Sequence, residues 1–308
     1  MKDLGSAMGR LDFLKFMGFG GLVAASGLKG FAGAAEPGPG RDFTFAQLSD
    51  THLGFQGPKI NPDSAATLDK AVDALNGLAV QPDFVMFTGD LTHDTPDPQE
   101  RRARMRRFKA AVARLKVQQL RFLPGEHDVG EDGGEAYREV FGPPSYAFEH
   151  KGIHFIALDN VTQPGSTLGP AQLDWLAGDL RQVRPQMPVV VFAHRPLFSL
   201  YEDWDWFTAD GEQAIALLSS HPNVTVFYGH IHQEHHHMTG NIGHHAARSL
   251  IFPLPAPGSA PKRAPVPWDP AAPYRGLGLR EVDVRTGRGP DGNLEVRELL
   301  HEFPLQGS

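Results

Sequence analysis

The chain has 308 residues, 41% hydrophobic and 21% charged, which supplies enough apolar side chains for one large folded domain and excludes a disordered chain. Its net charge of −7, without counting histidine, argues against a nucleic-acid partner, because duplex binders carry a basic face that displaces counterions. There is no cysteine, so disulfides and thiolate metal sites are excluded, and any metal must be held by histidine, carboxylate, amide or water.

In chain order, Arg10 and Lys15 precede an apolar, glycine-rich run from Phe16 to Phe31, and Ala32-Gly33-Ala34 gives a small-x-small cleavage pattern. Residues 1–35 therefore read as an export signal, which implies a periplasmic or extracellular protein. The run is too short and too glycine-rich, and is interrupted by Lys29, for a stable membrane span. Gly9 to Lys15 resembles a degenerate twin-arginine motif, with Leu11 in place of the second arginine.

A Pro/Gly linker, residues 36–42, leads into a domain spanning 43–308. Five short apolar runs, Phe43 to Leu48, Phe84 to Phe87, Leu120 to Leu123, Val189 to Phe192 and Val224 to Tyr228, read as buried strands. Between them, helices are expected from Ser64 to Leu78, from Asp97-Pro98 along the stripe Met105, Phe108, Val112 and Leu115, and from Gly169-Pro170 to about Val183. This alternation is that of a layered α/β domain. The segment 253–273 holds eight prolines in 21 residues and reads as a surface wrap, and residues 277–303 read as a closing β-hairpin.

Each of the five strands is followed at once by candidate ligands: Asp50 and His52, Asp90, Glu126-His127-Asp128, His194, and His230 with His232. Loops at the carboxyl ends of strands in an open α/β sheet gather in one crevice, and the two D-x-H and H-x-H pairs direct alternate side chains to one side. Carboxylates with imidazoles suit Zn, Mn or Fe, and a shared carboxylate can bridge two ions.

Asp50-Thr51-His52, Gly89-Asp90, Gly125-Glu126-His127-Asp128, His194 and Gly229-His230-Ile231-His232 resemble the motifs of the calcineurin-like metallophosphoesterase family. The resemblance implies a four-layer sandwich of two mixed β-sheets flanked by helices, and two metal ions, Fe, Mn or Zn. It implies Asp50, His52 and His232 on one ion, Asp90 between the ions, and Glu126, His194 and His230 on the other. The implied reaction is hydrolysis of a small phosphomonoester or phosphodiester by a metal-bound hydroxide, with His127 assisting the leaving group and Asp128 orienting His127. Glu126 departs from the family asparagine; it either adds a negative charge to the site or turns away and leaves its place to water. His93 stands where purple acid phosphatases carry their colour-giving tyrosine, and is expected either to reach the phosphate or to face solvent.

Three further features stay open. His235-His236-His237 with His244-His245 reads as a metal-capturing cluster or a solvated hairpin. The basic run of Arg101, Arg102, Arg104, Arg106, Arg107 and Lys109 reads as a solvated helix face. Tyr201, Trp204, Trp206 and Phe207 read either as an apolar substrate wall or as packing. The alternative to an enzyme is a non-catalytic exported metal-binding protein. A nuclease is disfavoured by the acidic charge.

Overall fold

The computed structural model describes residues 42–285 and the backbone of strand 295–302. The expected export signal, the linker up to residue 41 and the turn of the closing hairpin lie outside the described residues. One five-stranded sheet contains β1 (Phe43–Leu48), β2 (Phe84–Thr88), β3 (Leu120–Leu123), β10 (Gly278–Arg285) and β11 (Glu295–Glu302), in the order β11-β10-β1-β2-β3. The other, six-stranded, contains β4 (Tyr146–His150), β5 (Ile153–Ala157), β6 (Val189–Phe192), β7 (Val224–Tyr228), β8 (His235–Thr239) and β9 (Ile242–Ala246), in the order β4-β5-β6-β7-β9-β8. Both sheets are mixed: β1, β2 and β3 run parallel, as do β5, β6, β7 and β9, while β10, β11, β4 and β8 add antiparallel pairs.

The two-residue period of the strands divides the core into layers. In β1, β2, β6 and β7 the residues Phe45, Phe84, Met86, Val190, Phe192 and Phe227 fill the space between the sheets. Their sequence neighbours point outward to helices. Leu48, Val85 and Phe87 pack on α1 (Thr67–Asn76) and α2 (Pro98–Val112), while Val189, Val191 and Val226 pack on the later helices α5 (Pro170–Leu180) and α6 (Gly211–Leu218). The short helices α3 (Glu126–Val129) and α4 (Glu135–Phe141) lie between β3 and β4 in the chain. The result is the expected four-layer α/β/β/α sandwich, with a central aromatic layer in which Phe45 stacks on Phe84 at 5.0 Å and meets Phe192 and Phe227 edge-on at 5.7 and 5.5 Å.

Helix α2 begins as expected: the Asp97 side chain accepts the Gln99 N–H at 2.8 Å and Pro98 occupies the first turn. Two expectations are corrected, and one open alternative is decided. Only Leu123 of β3 is buried, because β3 is an edge strand of its sheet. Arg101 is not on a solvated face; it is buried, with Nη2 donating to Thr95 O at 2.7 Å and Nη1 3.2 Å from Asp132. Trp204 and Trp206 belong to the core under the second sheet, with ring centroids 5.0 Å apart, so packing claims both indoles. The β4–β5 hairpin is an element the apolar-run reading passes over. Its signal is Lys151-Gly152, both at positive φ, 45° and 86°, as a two-residue type I′ turn requires. Among the described residues no helix is long and apolar enough to cross a membrane.

Candidate metal centre

Parallel register brings the strand ends together. Leu48 pairs with Phe87 and Thr88 with Leu123 in one sheet, and Phe192 pairs with Phe227 in the other, so each following loop leaves at the same rim. The loops are then tied by the backbone: Asp50 N–H donates to Gly89 O at 3.0 Å, His52 N–H to Asp90 O at 2.9 Å, and Gly229 N–H to His194 O at 2.9 Å.

All seven predicted ligands meet there. Asp50, His52, Asp90 and His232 place one ligating atom each within 4.8 Å of the others, and Glu126, His194 and His230 form a second such group. Asp90 lies between them, with Oδ2 3.4 Å from His52 Nε2 and 3.6 Å from His194 Nε2. Glu126 points inward, its Oε2 2.8 Å from His194 Nε2 and its Oε1 3.0 Å from His230 Nδ1, so the account in which it turns away is excluded. Five of the seven, Asp50, His52, Asp90, His230 and His232, sit at φ between 44° and 65°. Such left-handed residues are costly and persist where the surroundings impose them. The preceding glycines make room: a Cβ on Gly125 would come within 2.1 Å of Asp90 Oδ1, and one on Gly229 within 2.0 Å of Ser49 Oγ.

The imidazoles are oriented by carbonyls, which can only accept. His194 Nδ1–H donates to Thr88 O at 2.8 Å, His232 Nδ1–H to Phe252 O at 2.8 Å and His230 Nε2–H to Asp205 O at 3.1 Å. This fixes the tautomers and turns a lone pair of each ring toward the carboxylates. His194 Nε2 and Glu126 Oε2 are buried 2.8 Å apart, so either a proton on Nε2 or a cation between them holds the pair. Burial opposes a charged His194, but Asp90 and Glu126 outweigh it and raise its pKa well above the usual imidazole range. Burial likewise works to raise the pKa of Glu126, yet His230 and His194 hold it well below the usual carboxylate range. In His52, burial and the charges of His127, His232 and His93 favour the neutral, ligating form. The donor set fits two dications, one in each group, with Asp90 within reach of both.

His127 is half-buried, edge-on to His52 at 4.7 Å and stacked on His93 at 4.8 Å. His93 Nδ1 lies 3.2 Å from His52 Nδ1, so His93 belongs to the site and does not simply face solvent. The expected partner of His127 is corrected. Asp128 does not touch its ring; buried, it accepts the N–H groups of Leu91, Thr92 and Gly125 and the Thr92 hydroxyl, tying the loop after β2 to the loop after β3. Burial, and then the charge of Asp90, push Asp128 up to about 7 against those donors. Asp94 takes the orienting place, with Oδ1 2.9 Å from His127 Nδ1. Arg104 Nη1 donates to the carbonyls of His93 and Asp94, both at 3.0 Å, and so fixes this loop. Sequence reading missed Asp94 and Arg104; the spacing Asp90-x-x-x-Asp94 was the available signal.

The histidine run forms the β8–β9 hairpin, with His237 opposite His244 and His236 opposite His245. Among the described residues no cluster of three ligating atoms includes these side chains.

The sequence model of the calcineurin-like phosphoesterase family matches residues 43–234. A 3',5'-cyclic-nucleotide phosphodiesterase of Nostoc is 24% identical over 221 residues, covering 68% of this chain and 79% of the relative. A 3',5'-cyclic adenosine monophosphate phosphodiesterase of Pseudomonas aeruginosa is 27% identical over 81% of this chain and 87% of the relative. The serine/threonine-protein phosphatase CPPED1 of Rattus norvegicus is 29% identical, with 54% of this chain matched to only 58% of that protein. Among solved structures, a dimetal phosphatase of Danio rerio aligns at a TM-score of 0.55 and 15% identity, covering 86% of this chain and 99% of that one. A purple acid phosphatase of yellow lupin aligns at 0.57 and 16%, covering 86% and 54%. Both share the fold.

Proposed function

The chain belongs to the calcineurin-like phosphoesterase family and is a metal-dependent phosphoesterase, and from that premise we propose that it is an exported hydrolase of phosphomonoesters or phosphodiesters. In this reading Asp50, His52, Asp90 and His232 hold one ion, and Glu126, His194 and His230 hold a second, drawn from Fe, Mn or Zn. Two bound dications would screen the phosphoryl oxygens and lower the pKa of water from 15.7 to about 7.

The residues of the chain supply the rest. His127, held by Asp94, donates its Nε2 proton to the leaving oxygen, and Asp94 keeps Nδ1 protonated while it does so. His93, stacked on His127, limits the ring's rotation and lines the phosphate side of the site. The inward Glu126 gives the site a third carboxylate beside Asp50 and Asp90, which favours a more highly charged ion or weaker phosphate affinity than an asparagine there. The observation that carries the proposal is the meeting of seven ligand-type side chains from five loops in two adjoining groups that share Asp90 between them. Export is supported by the pattern of residues 1–35.

The test combines metal analysis with turnover of nitrophenyl monoesters and diesters by manganese-, zinc- and iron-loaded protein. About two ions per chain and metal-dependent hydrolysis are expected, with His127→Ala losing most activity on esters of poor leaving groups. Two tightly bound ions without turnover of any ester would return the protein to the non-catalytic metal-binding class.

A further inference from the structure

The Pro-rich wrap and the loop after β6 enclose a cleft of about 470 Å³, walled by Tyr201, Asp203, Trp204 and Asp205 on one side and by Pro261, Lys262 and Arg263 on the other. Arg263 joins the walls, its Nη1 donating to Trp204 O at 3.2 Å and lying 3.4 Å from His230 Nε2. No ligand of either group lines the cleft, but two of its lining residues, Arg263 and Asp205, touch His230 of the second group and so set the cleft beside it. The lining carries two carboxylates and two cations, but one of the carboxylates is paired outside it. Asp205 is engaged, its Oδ2 2.6 Å from Arg195 Nη1, which leaves Asp203 as the other carboxylate of a lining that also holds Lys262 and Arg263. Among the described residues Lys262 makes no ion pair, and it is exposed on the rim. His127, Asp94 and His93 line no part of the cleft; they cluster at His52. A leaving oxygen that faces His127 therefore leaves the cleft to the part of the substrate that stays on phosphorus.

Building on the proposed phosphoesterase reading, we propose that this cleft binds the retained arm of a phosphodiester, and that this arm carries a second anionic group recognised by Lys262. Water forms the new bond to phosphorus, the P–O bond to the leaving alcohol breaks, and His127 gives that oxygen a proton. The proton lost by water restores His127, and the retained arm departs as a phosphomonoester with its second anion intact.

Two probes that differ only in that anion test the idea: thymidine 3'-(4-nitrophenyl phosphate) and its 5'-phosphorylated counterpart. The metal-loaded enzyme is expected to show a kcat/KM about two- to fivefold higher for the phosphorylated probe, as one solvent-exposed charge pair allows. Lys262→Ala brings that ratio toward one and Lys262→Arg restores it. Calorimetry with thymidine 3',5'-bisphosphate and thymidine 3'-monophosphate gives the same difference in affinity without turnover. Equal kcat/KM values for the two probes, or a preference that survives Lys262→Ala, overturn the cleft assignment and leave the phosphoesterase reading standing. Hydrolysis of neither probe while nitrophenyl phosphate is cleaved overturns the diester assignment, and inertness toward all three overturns the phosphoesterase reading itself.

Discussion

Two carboxylates flank His127, and their contacts separate their roles. Asp94 Oδ1 is 2.9 Å from the ring, whereas Asp128 spends its oxygens on three backbone N–H groups and the Thr92 hydroxyl. Asp94→Asn is therefore expected to lower kcat/KM for a poor leaving group by about 10- to 100-fold, less than the roughly 10²–10⁴ of the positioned acid itself because the ring remains in place. Metal content and the urea midpoint stay at their wild-type values. Asp128→Ala is expected to do the reverse, since it strands buried donors at about 1–3 kcal/mol each and lowers the unfolding free energy by about 3 kcal/mol or more. Parallel ester kinetics and urea titrations of the two variants decide the assignment; a stability loss in Asp94→Asn equal to that of Asp128→Ala would refute it. The sequence could not make this distinction. Asp128 follows His127 directly, but α3 turns the two side chains apart, and the partner arrives from a loop 33 residues earlier.

At the scale of elements, the strands that carry ligands were legible because each is a short, mainly apolar run followed within three residues by an Asp, Glu or His. The β4–β5 hairpin was less so, since Tyr146–His150 is only partly buried and its turn rests on Lys151 adopting a positive φ that lysine seldom takes. The histidine run read as a hairpin or a metal trap, and burial, which sequence does not display, separates its members. His244 is fully buried with neither ring nitrogen hydrogen-bonded, while His236 lies on the exposed face with Nδ1 2.8 Å from His245. Burial, then the neighbouring His237 and His245, push the His244 pKa down to about 3. The unfolded chain would protonate it near 6.5, so between about 6.5 and 3 the unfolded state binds a proton that the folded state refuses, and stability falls as pH falls. From pH 7.5 to 5.5 this one group should cost about 1.4 kcal/mol. Urea unfolding of wild type and His244→Phe at both pH values checks it: the variant's loss on acidification should be smaller by that amount, and an identical loss would show that His244 is not the group responsible.

Across the whole molecule, each ligand group draws on both sheets. Asp50, His52 and Asp90 follow β1 and β2 of one sheet while His232 follows β7 of the other; Glu126 follows β3 and its companions His194 and His230 follow β6 and β7. Beneath them a polar bridge already crosses the gap, Gln47 Nε2 donating to Tyr228 O at 3.0 Å and Arg280 Nη1 to Gln47 Oε1 at 3.1 Å. Asp50 and Asp90 are buried at 0% and 1% exposure beside Glu126, so removing the ions would leave three carboxylates repelling one another at the seam between the sheets. Ions bound only by the folded state add about 2.7 kcal/mol each at a hundredfold excess over Kd. For a domain of this size that corresponds to a fall in Tm of about 5–10 °C per ion on chelation. Because the ligands bridge the seam, the loss should spread: hydrogen exchange of chelated protein should speed up in β1 and β2 as well as in β6 and β7. Faster exchange confined to the ligand-bearing loops would mean that the sheets hold together without the ions, and that the metals serve the chemistry of the rim and not the union of the two sheets.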